Sequence, residues 1–229
     1  MDKDFALNLA AKIGIDVQQV IREEVELVVL SALLDSSLSD RLIFKGGTAL
    51  RLVYESPRFS EDLDFSISGR ISPKEFQDII NGIVTSDQRF SIKDLASKYY
   101  TDIAQIRIKE PWQDIAMSMK IEVSKRIEDR GSRAYINALA KSPATNTSVM
   151  VKAFSLDEML EDKLRAITER KMPRDIFDIW FICQKMSKPF NLKGFGYPKG
   201  IIRRDLRRLL PKRYYPVTDE LERLNAQSL

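Results

Sequence analysis

The sequence predicts an α+β protein: a small twisted mixed sheet flanked by helices over residues 1–150, followed by a helical domain over residues 151–229 that closes over a cleft. Three observations carry this. Strict period-two alternation is confined to the first part. Residues 62–67 set Asp62, Asp64 and Ser66 against Leu63, Phe65 and Ile67, and residues 117–124 set Met117, Met119, Ile121 and Val123 against Ser118, Lys120, Glu122 and Ser124. A polar, loop-like stretch, "KSPATNTS", then ends the strand pattern. Beyond it only helical spacing follows, with no internal repeat or low-complexity tract.

In chain order, Asp16 to Leu34 carries apolar residues at helical spacing and ends in the turn-like "SSLSD". "RLIF" is a short buried strand running into a Gly46-Gly47 turn, and "TALRLVYE" a helix starting at Thr48. The strand at 62–67 comes next. A helix follows with Ser72 as N-cap, Pro73 in its first turn, Glu75 completing a capping box, and Phe76, Ile79, Ile80 and Ile83 as its apolar stripe. A strand around residues 103–109 precedes the one at 117–124. A capping box of Ser155 and Glu158 opens a helix to about Arg170, and Pro173 separates it from a very apolar helix over residues 174–186. The last forty residues are a Gly/Pro-punctuated connection, a basic helix from about Gly200 and a short tail.

At 229 residues and 44% hydrophobic, the chain can bury a real core. It has no run of eighteen apolar residues and no signal-peptide pattern at its start, which predicts a soluble cytoplasmic protein without a membrane partner. The single cysteine, Cys183, cannot form an internal disulfide and reads as a core thiol. The chain contains no histidine, which excludes His-based triads, His-ligated zinc and His acid–base chemistry. Catalysis must then use carboxylates, lysine, hydroxyls or a metal held by oxygen. The net charge of +4 is uneven. Residues 199–213, "KGIIRRDLRRLLPKR", hold seven Lys or Arg against one Asp, a local +6, so the remainder carries −2, the difference between +4 and +6.

The stretch "FKGGTALRLVYESPRFSEDLDFSI", residues 44–67, raises the chemical question. Carboxylates at i and i+2 on a strand point the same way with Cβ atoms about 7 Å apart, from a rise of about 3.3 Å per residue, close enough to share a divalent cation. Alone, such a pair is equally a solvated edge. The diglycine adds a second feature, because glycine lets backbone N–H groups approach phosphates and a helix N-terminus contributes positive dipole. It is not a P-loop, for G-x-x-x-x-G-K-[ST] is nowhere in the chain. "DLDFS" also has a local likeness to the D-x-D-x-[ST] of haloacid-dehalogenase-type phosphatases, but there a strongly apolar strand leads into the aspartates, and here "RFSE" does.

The combination of a Gly-Gly turn with a hydroxyl residue, D-h-D on a strand and a third carboxylate on a neighbouring strand resembles the polymerase-β-like nucleotidyltransferases. Within them, residues 44–67, "MKIEVSKR" and "SLDEMLEDKLRAITERKMPRDIFDIW" look like the AbiEii toxin family and the similar MenT toxins of toxin–antitoxin and phage-abortive systems. The resemblance covers roughly residues 42–182. It implies Mg²⁺ on Asp62 and Asp64, and an NTP triphosphate on Gly46, Gly47 and Thr48 with Ser60, Lys45 and Arg58. It also implies a role for Glu122 as ligand of a second metal or as proton acceptor. The implied activity is transfer of a nucleotide to an RNA acceptor, the 3′ end of tRNA, opposed by a cognate antitoxin protein.

Lys163 falls inside the apolar stripe Leu156, Met159, Leu160, Leu164 and Ile167, so its ammonium must snorkel or find an anion. The resemblance sets this lysine against the nucleotide phosphates. Asp175 and Asp178 share one face of an otherwise apolar helix. Asp178 is an i,i+4 partner for Arg174, and the family places an essential aspartate at one of these two positions. In the basic helix, Ile202, Leu206, Leu209 and Leu210 form a docking stripe, while Arg203, Arg204, Arg207 and Arg208 lie on the remaining surface, flanked by Tyr197, Tyr214 and Tyr215, an arrangement that suits RNA and equally a solvated basic face. Two other classes use the same residues differently: a metal-dependent phosphatase on Asp62 and Asp64, and a non-catalytic RNA-binding protein on the basic helix.

Overall fold

The computed structural model describes residues 1–126, 134–191 and 196–226. Two helices open the chain, α1 (Lys3–Ile13) and α2 (Val17–Leu34). Asp2 caps the first, accepting from Phe5 N at 2.8 Å, and the left-handed Gly14 ends it; Asp16 caps the second. β1 (Leu42–Lys45) runs straight into α3 (Gly46–Leu52), so the expected glycine turn is itself the first turn of the helix. β2 (Asp62–Ile67) and α4 (Pro73–Ser86) follow as expected. Ser72 accepts from Glu75 N at 3.0 Å, but the Glu75 carboxylate turns to Arg41 and Ser37, so only half of the capping box forms.

Five more strands then appear: β3 (Phe90–Ser97), β4 (Thr101–Ile108), β5 (Met117–Ser124), β6 (Tyr135–Ala140) and β7 (Val149–Phe154). The sheet is therefore larger than the sequence suggests, with seven strands among the described residues in the order β3-β4-β5-β2-β1-β7-β6. β2 runs parallel to β5 and β1 parallel to β7, and the other pairs are antiparallel. Because β7 ends at Phe154, a boundary at 150/151 falls inside the sheet, and the helical half starts at Ser155.

That half comprises α5 (Leu156–Arg170), α6 (Pro173–Lys185), α7 (Ile201–Arg207) and α8 (Tyr215–Ala226). Residues 192–195 of the Gly/Pro-punctuated connection lie outside the described residues. The Ile202, Leu206, Leu209 and Leu210 stripe is buried, and the carbonyl of Leu209 accepts from Phe59 N at 2.8 Å, which pins α7 to the segment before β2. Cys183 is a buried free thiol. Leu63, Phe65, Ile121 and Val123 from the inner face of the sheet share one apolar cluster with α2, α4 and the helical half. The opposite face keeps Asp62, Asp64, Lys120 and Glu122 for the cleft. Among the described residues no helix is long and apolar enough to cross a membrane.

Candidate active site

Strand register sets the polar face. Asp62 lies opposite Lys120, Asp64 lies between Lys45 on one side and Glu122 on the other, and Ser66 lies opposite Ser124. Residues opposed across neighbouring strands are about 5 Å apart, so one rung pairs Asp62 with Lys120 and the next sets Lys45, Asp64 and Glu122 in a row, its two carboxylates side by side. Burial raises the carboxyl pKa of Asp64 from its ordinary value; Asp62 and Glu122 add to the rise, and Lys120 and Lys45 oppose it.

The glycines exist because side chains crowd them. At Gly46 the backbone has φ +82°, and an added Cβ would stand 2.5 Å from Asp64 Oδ2. At Gly47 a Cβ would stand 2.2 Å from Arg58 Nη2 and 2.7 Å from Ser60 Oγ. The diglycine thus lets a carboxylate, a guanidinium and a hydroxyl converge on one helix start. Thr48 does not join them: it is fully buried, and its hydroxyl donates to the Asp62 carbonyl. Its part is to fix the start of β2 rather than to face the cleft.

The facing wall comes from α5 and α6. Lys163 neither snorkels nor stands free, for its Nζ is 3.0 Å from Asp175 Oδ1 and 2.6 Å from Asp178 Oδ2. Asp178 pairs with Arg58, not with Arg174, through bonds of 2.7 and 2.9 Å. Arg170 binds Asp175 at 2.7 and 2.9 Å. The result is a chain of alternating charge, Arg58–Asp178–Lys163–Asp175–Arg170, buried from Arg58 to Asp175 and exposed at Arg170. Burial opposes ionisation of both aspartates, yet Arg58 and Lys163 hold Asp178, and Lys163 and Arg170 hold Asp175, below their ordinary values. These aspartates position the cations and do not themselves line the cleft.

The cleft has a volume of about 310 Å³ and gathers Lys45, Gly46, Gly47, Arg58, Ser60, Asp62, Asp64, Glu122 and Lys163. Sequence reasoning missed Lys120, Arg126, Arg165, Arg170 and Arg174, which also line it. Its eight cationic side chains exceed its five carboxylates, Asp62, Asp64, Glu122, Asp162 and Glu169, which suits a polyanion. Lys120 carried a signal, since it sits two residues from Glu122 on the same strand face; its Nζ is 2.8 Å from Glu122 and 3.9 Å from Asp62.

Among the described residues no three His, Cys, Asp or Glu side chains converge as a ready metal cluster. The pair Asp62 and Asp64 fits Mg²⁺ all the same, because this ion is commonly held by one or two carboxylates while substrate phosphates and water complete its shell. Glu122 is engaged by Lys120 at 2.8 Å.

The α7 arginines lie outside the cleft lining. Arg203 and Arg207 share Asp219, Arg204 is 3.3 Å from Asp205, and Arg208 is 3.3 Å from Glu61. Tyr197 is buried and cannot stack on a base, while Tyr214 and Tyr215 lie beneath Arg213 and Arg207.

A family model for the nucleotidyl transferase AbiEii toxin of type IV toxin–antitoxin systems matches residues 28–223. The chain belongs to the AbiEii family. Among solved structures, this AbiEii protein is similar to JHP933 from Helicobacter pylori, with 21% identity, a TM-score of 0.56 and coverage of 94% of this chain and 86% of that one. It is also similar to MenT4, a nucleotidyltransferase toxin from Mycobacterium tuberculosis, with 16% identity, a TM-score of 0.61 and coverage of 100% and 90%. At such identities the likeness establishes a shared fold. A sequence search among curated proteins finds no match.

Proposed function

We propose that this AbiEii toxin transfers a nucleotidyl group from an NTP to a hydroxyl of an RNA acceptor, the 3′ end of tRNA, in the cytoplasm, and that a cognate antitoxin opposes it. One observation carries the reading: the carboxylates Asp62, Asp64 and Glu122 face Arg58, Lys163 and the Gly46-Gly47 helix start across one cleft. Asp62 and Asp64 hold Mg²⁺, which when bound neutralises phosphate charge and polarises the reacting phosphoryl group. The acceptor oxygen bonds to the α-phosphorus as the bond to the bridging oxygen of the β-phosphate breaks, and pyrophosphate leaves with that electron pair. Glu122 takes the proton that the hydroxyl loses. Arg58, Lys163 and Lys45 meet the negative charge growing on the departing phosphates, and Ser60 donates to them beside Gly47.

On α7 and at its C-cap, Arg204 and Arg208 hold their acidic partners only at 3.3 Å and in solvent. Exposed pairs are worth about 0–1 kcal/mol, so an RNA phosphate can replace either carboxylate, with Arg203 and Arg207 reinforcing the same surface. Membership of a nucleotidyltransferase family favours transfer over phosphate hydrolysis. The test is incubation with each labelled NTP, Mg²⁺ and total tRNA. Lengthened, labelled RNA and released pyrophosphate are expected; inorganic phosphate without lengthened RNA would reject transfer.

A further inference from the structure

The hairpin between β3 and β4 is closed by hydrogen bonds of 2.8 and 3.4 Å between Lys98 and Thr101, which leaves Tyr99 and Tyr100 as its two tip residues. Such tips favour Asn, Asp and Gly, whose backbones turn easily. Here both are aromatic, with Tyr99 85% and Tyr100 55% exposed, and their rings meet edge to face at 4.5 Å. Rings so exposed contribute little to folding, and apolar surface placed at a tip is suited to a partner.

Location identifies the partner. Thr101, the next residue, lines the cleft and lies opposite Ser124, and the Tyr100 carbonyl accepts from Lys125 N at 2.8 Å. Arg126 also lines the cleft and brings its guanidinium to 5.8 Å from the Tyr100 ring. Ser124 lies about 7 Å along β5 from Glu122, at about 3.3 Å per residue, so the tip stands just past the end of the row of carboxylates. Lys98 is exposed beside the rings, whereas Lys125 is engaged with the buried Asp102 at 2.8 Å. Two rings bracketed by cations at the mouth of a phosphate-binding cleft suit a strand of stacked bases better than a protein, which would seek a broader apolar surface.

We propose that Tyr99 and Tyr100 are the stacking platform for the unpaired terminal bases of the RNA acceptor, with Lys98 and Arg126 meeting its phosphates, an inference that rests on the acceptor being RNA. Stacking uses the face that every base has, so the platform tolerates different terminal sequences and leaves choice of nucleotide to the cleft.

The experiment uses the full chain and an unstructured oligoribonucleotide of about eight residues carrying 2-aminopurine at its 3′ end. The parent and the Tyr99→Phe/Tyr100→Phe variant should bind it alike and quench its fluorescence. The Tyr99→Ala/Tyr100→Ala variant should bind at least about tenfold more weakly, without quenching, while its NTP affinity stays unchanged. Equal affinity and quenching in the alanine variant would overturn the platform, as would a parent that does not bind the oligonucleotide. RNA binding retained with only sedimentation altered would assign the rings to contact between copies of the chain, and the platform falls there too. A parent that binds with tyrosine-dependent quenching yet lengthens no RNA would overturn the transfer reading and leave the platform standing.

Discussion

The Asp178 carboxylate grips the Arg58 guanidinium with both oxygens, at 2.7 and 2.9 Å, and both side chains are buried, Arg58 at the wall of the cleft. Residues 120 positions apart thereby lock the helical half to the segment that carries the site. Removing one member of a buried pair strands the other's charge, at a cost of about 3–5 kcal/mol. Asp178→Ala should lose stability of that order in urea unfolding and lose NTP transfer with it. The double variant Arg58→Met/Asp178→Leu should recover most of the stability, since Lys163 keeps Asp175, but none of the activity. Recovery of both would show that the pair serves folding alone.

Asp62→Asn and Asp64→Asn keep shape and remove charge. Each should abolish nucleotidyl transfer with little loss of folding, because the two residues stand on one strand face where they can share the ion with substrate phosphates. Turnover near the parent rate by either variant would remove the metal assignment.

Gly47→Ala inserts a methyl 2.2 Å from Arg58 Nη2, and Arg58 cannot swing away because Asp178 pins it. Overpacking of this kind costs about 1–3 kcal/mol. The variant should melt lower and show a raised KM for NTP. Equilibrium dialysis of labelled NTP separates loss of binding from loss of chemistry, and an unchanged NTP affinity would mean that Arg58 does not touch the triphosphate.

Stability should vary with pH in two directions. Burial, aided by Glu23, raises the pKa of Glu26 well above 4.5, and its Oε1 has no hydrogen-bond partner. A raised native pKa favours the fold below the unfolded value, about 4.3, and that benefit is lost as pH rises through the native value. Asp175 and Asp178 have lowered native values, so their contribution is present above about 3.9 and drains as pH falls through those values. Melting temperature should therefore rise as pH falls from 8 toward about 4.5 and drop steeply below about 4. Glu26→Gln should flatten the upper limb; a Glu26→Gln protein with the parent's slope there would show that another group causes it.

Much of the site was legible in the sequence because it rests on local chemistry. The diglycine, the D-h-D alternation and Glu122 needed only a period of two, and the structure sets Asp64 and Glu122 directly across from each other. What escaped depends on long-range contact. Nothing near Asp178 announces Arg58 as its partner, and Arg174, four residues back, is the wrong one. The strands β3 and β6 are sheet edges whose exposed residues give no clean alternation. β7 did alternate, with Val149, Val151 and Ala153 facing in, but it was masked by the capping box just behind it. α1 carried both of its signals, the Asp2 cap and Gly14, and α8 was hidden because Glu222 and Asn225 are buried partners of Gly200 and Tyr197 in place of apolar residues.

Lys120 gives the last prediction. Its ammonium stands 2.8 Å from Glu122 and 3.9 Å from Asp62, on the face where Asp64 also points. Burial disfavours its charge, yet its hydrogen bond to Glu122 and the charges of Asp64, Glu122 and Asp62 outweigh that and raise its pKa. It is thus a tethered cation among the carboxylates and competes with any divalent ion for them. Two unit charges 4 Å apart interact by about 4 kcal/mol at an effective dielectric of about 20, and solvent screening leaves a part of this. Lys120→Met keeps the stem and deletes the charge, so in EDTA the three carboxylates should repel and the protein should melt below the parent. Mn²⁺ should restore it by a larger shift than in the parent. In a titration of free Mn²⁺ followed by electron paramagnetic resonance, the variant should bind at least about tenfold more tightly, the equivalent of about 1.4 kcal/mol. Weaker or unchanged Mn²⁺ binding would show that Lys120 supports the site's shape and does not compete for its charge.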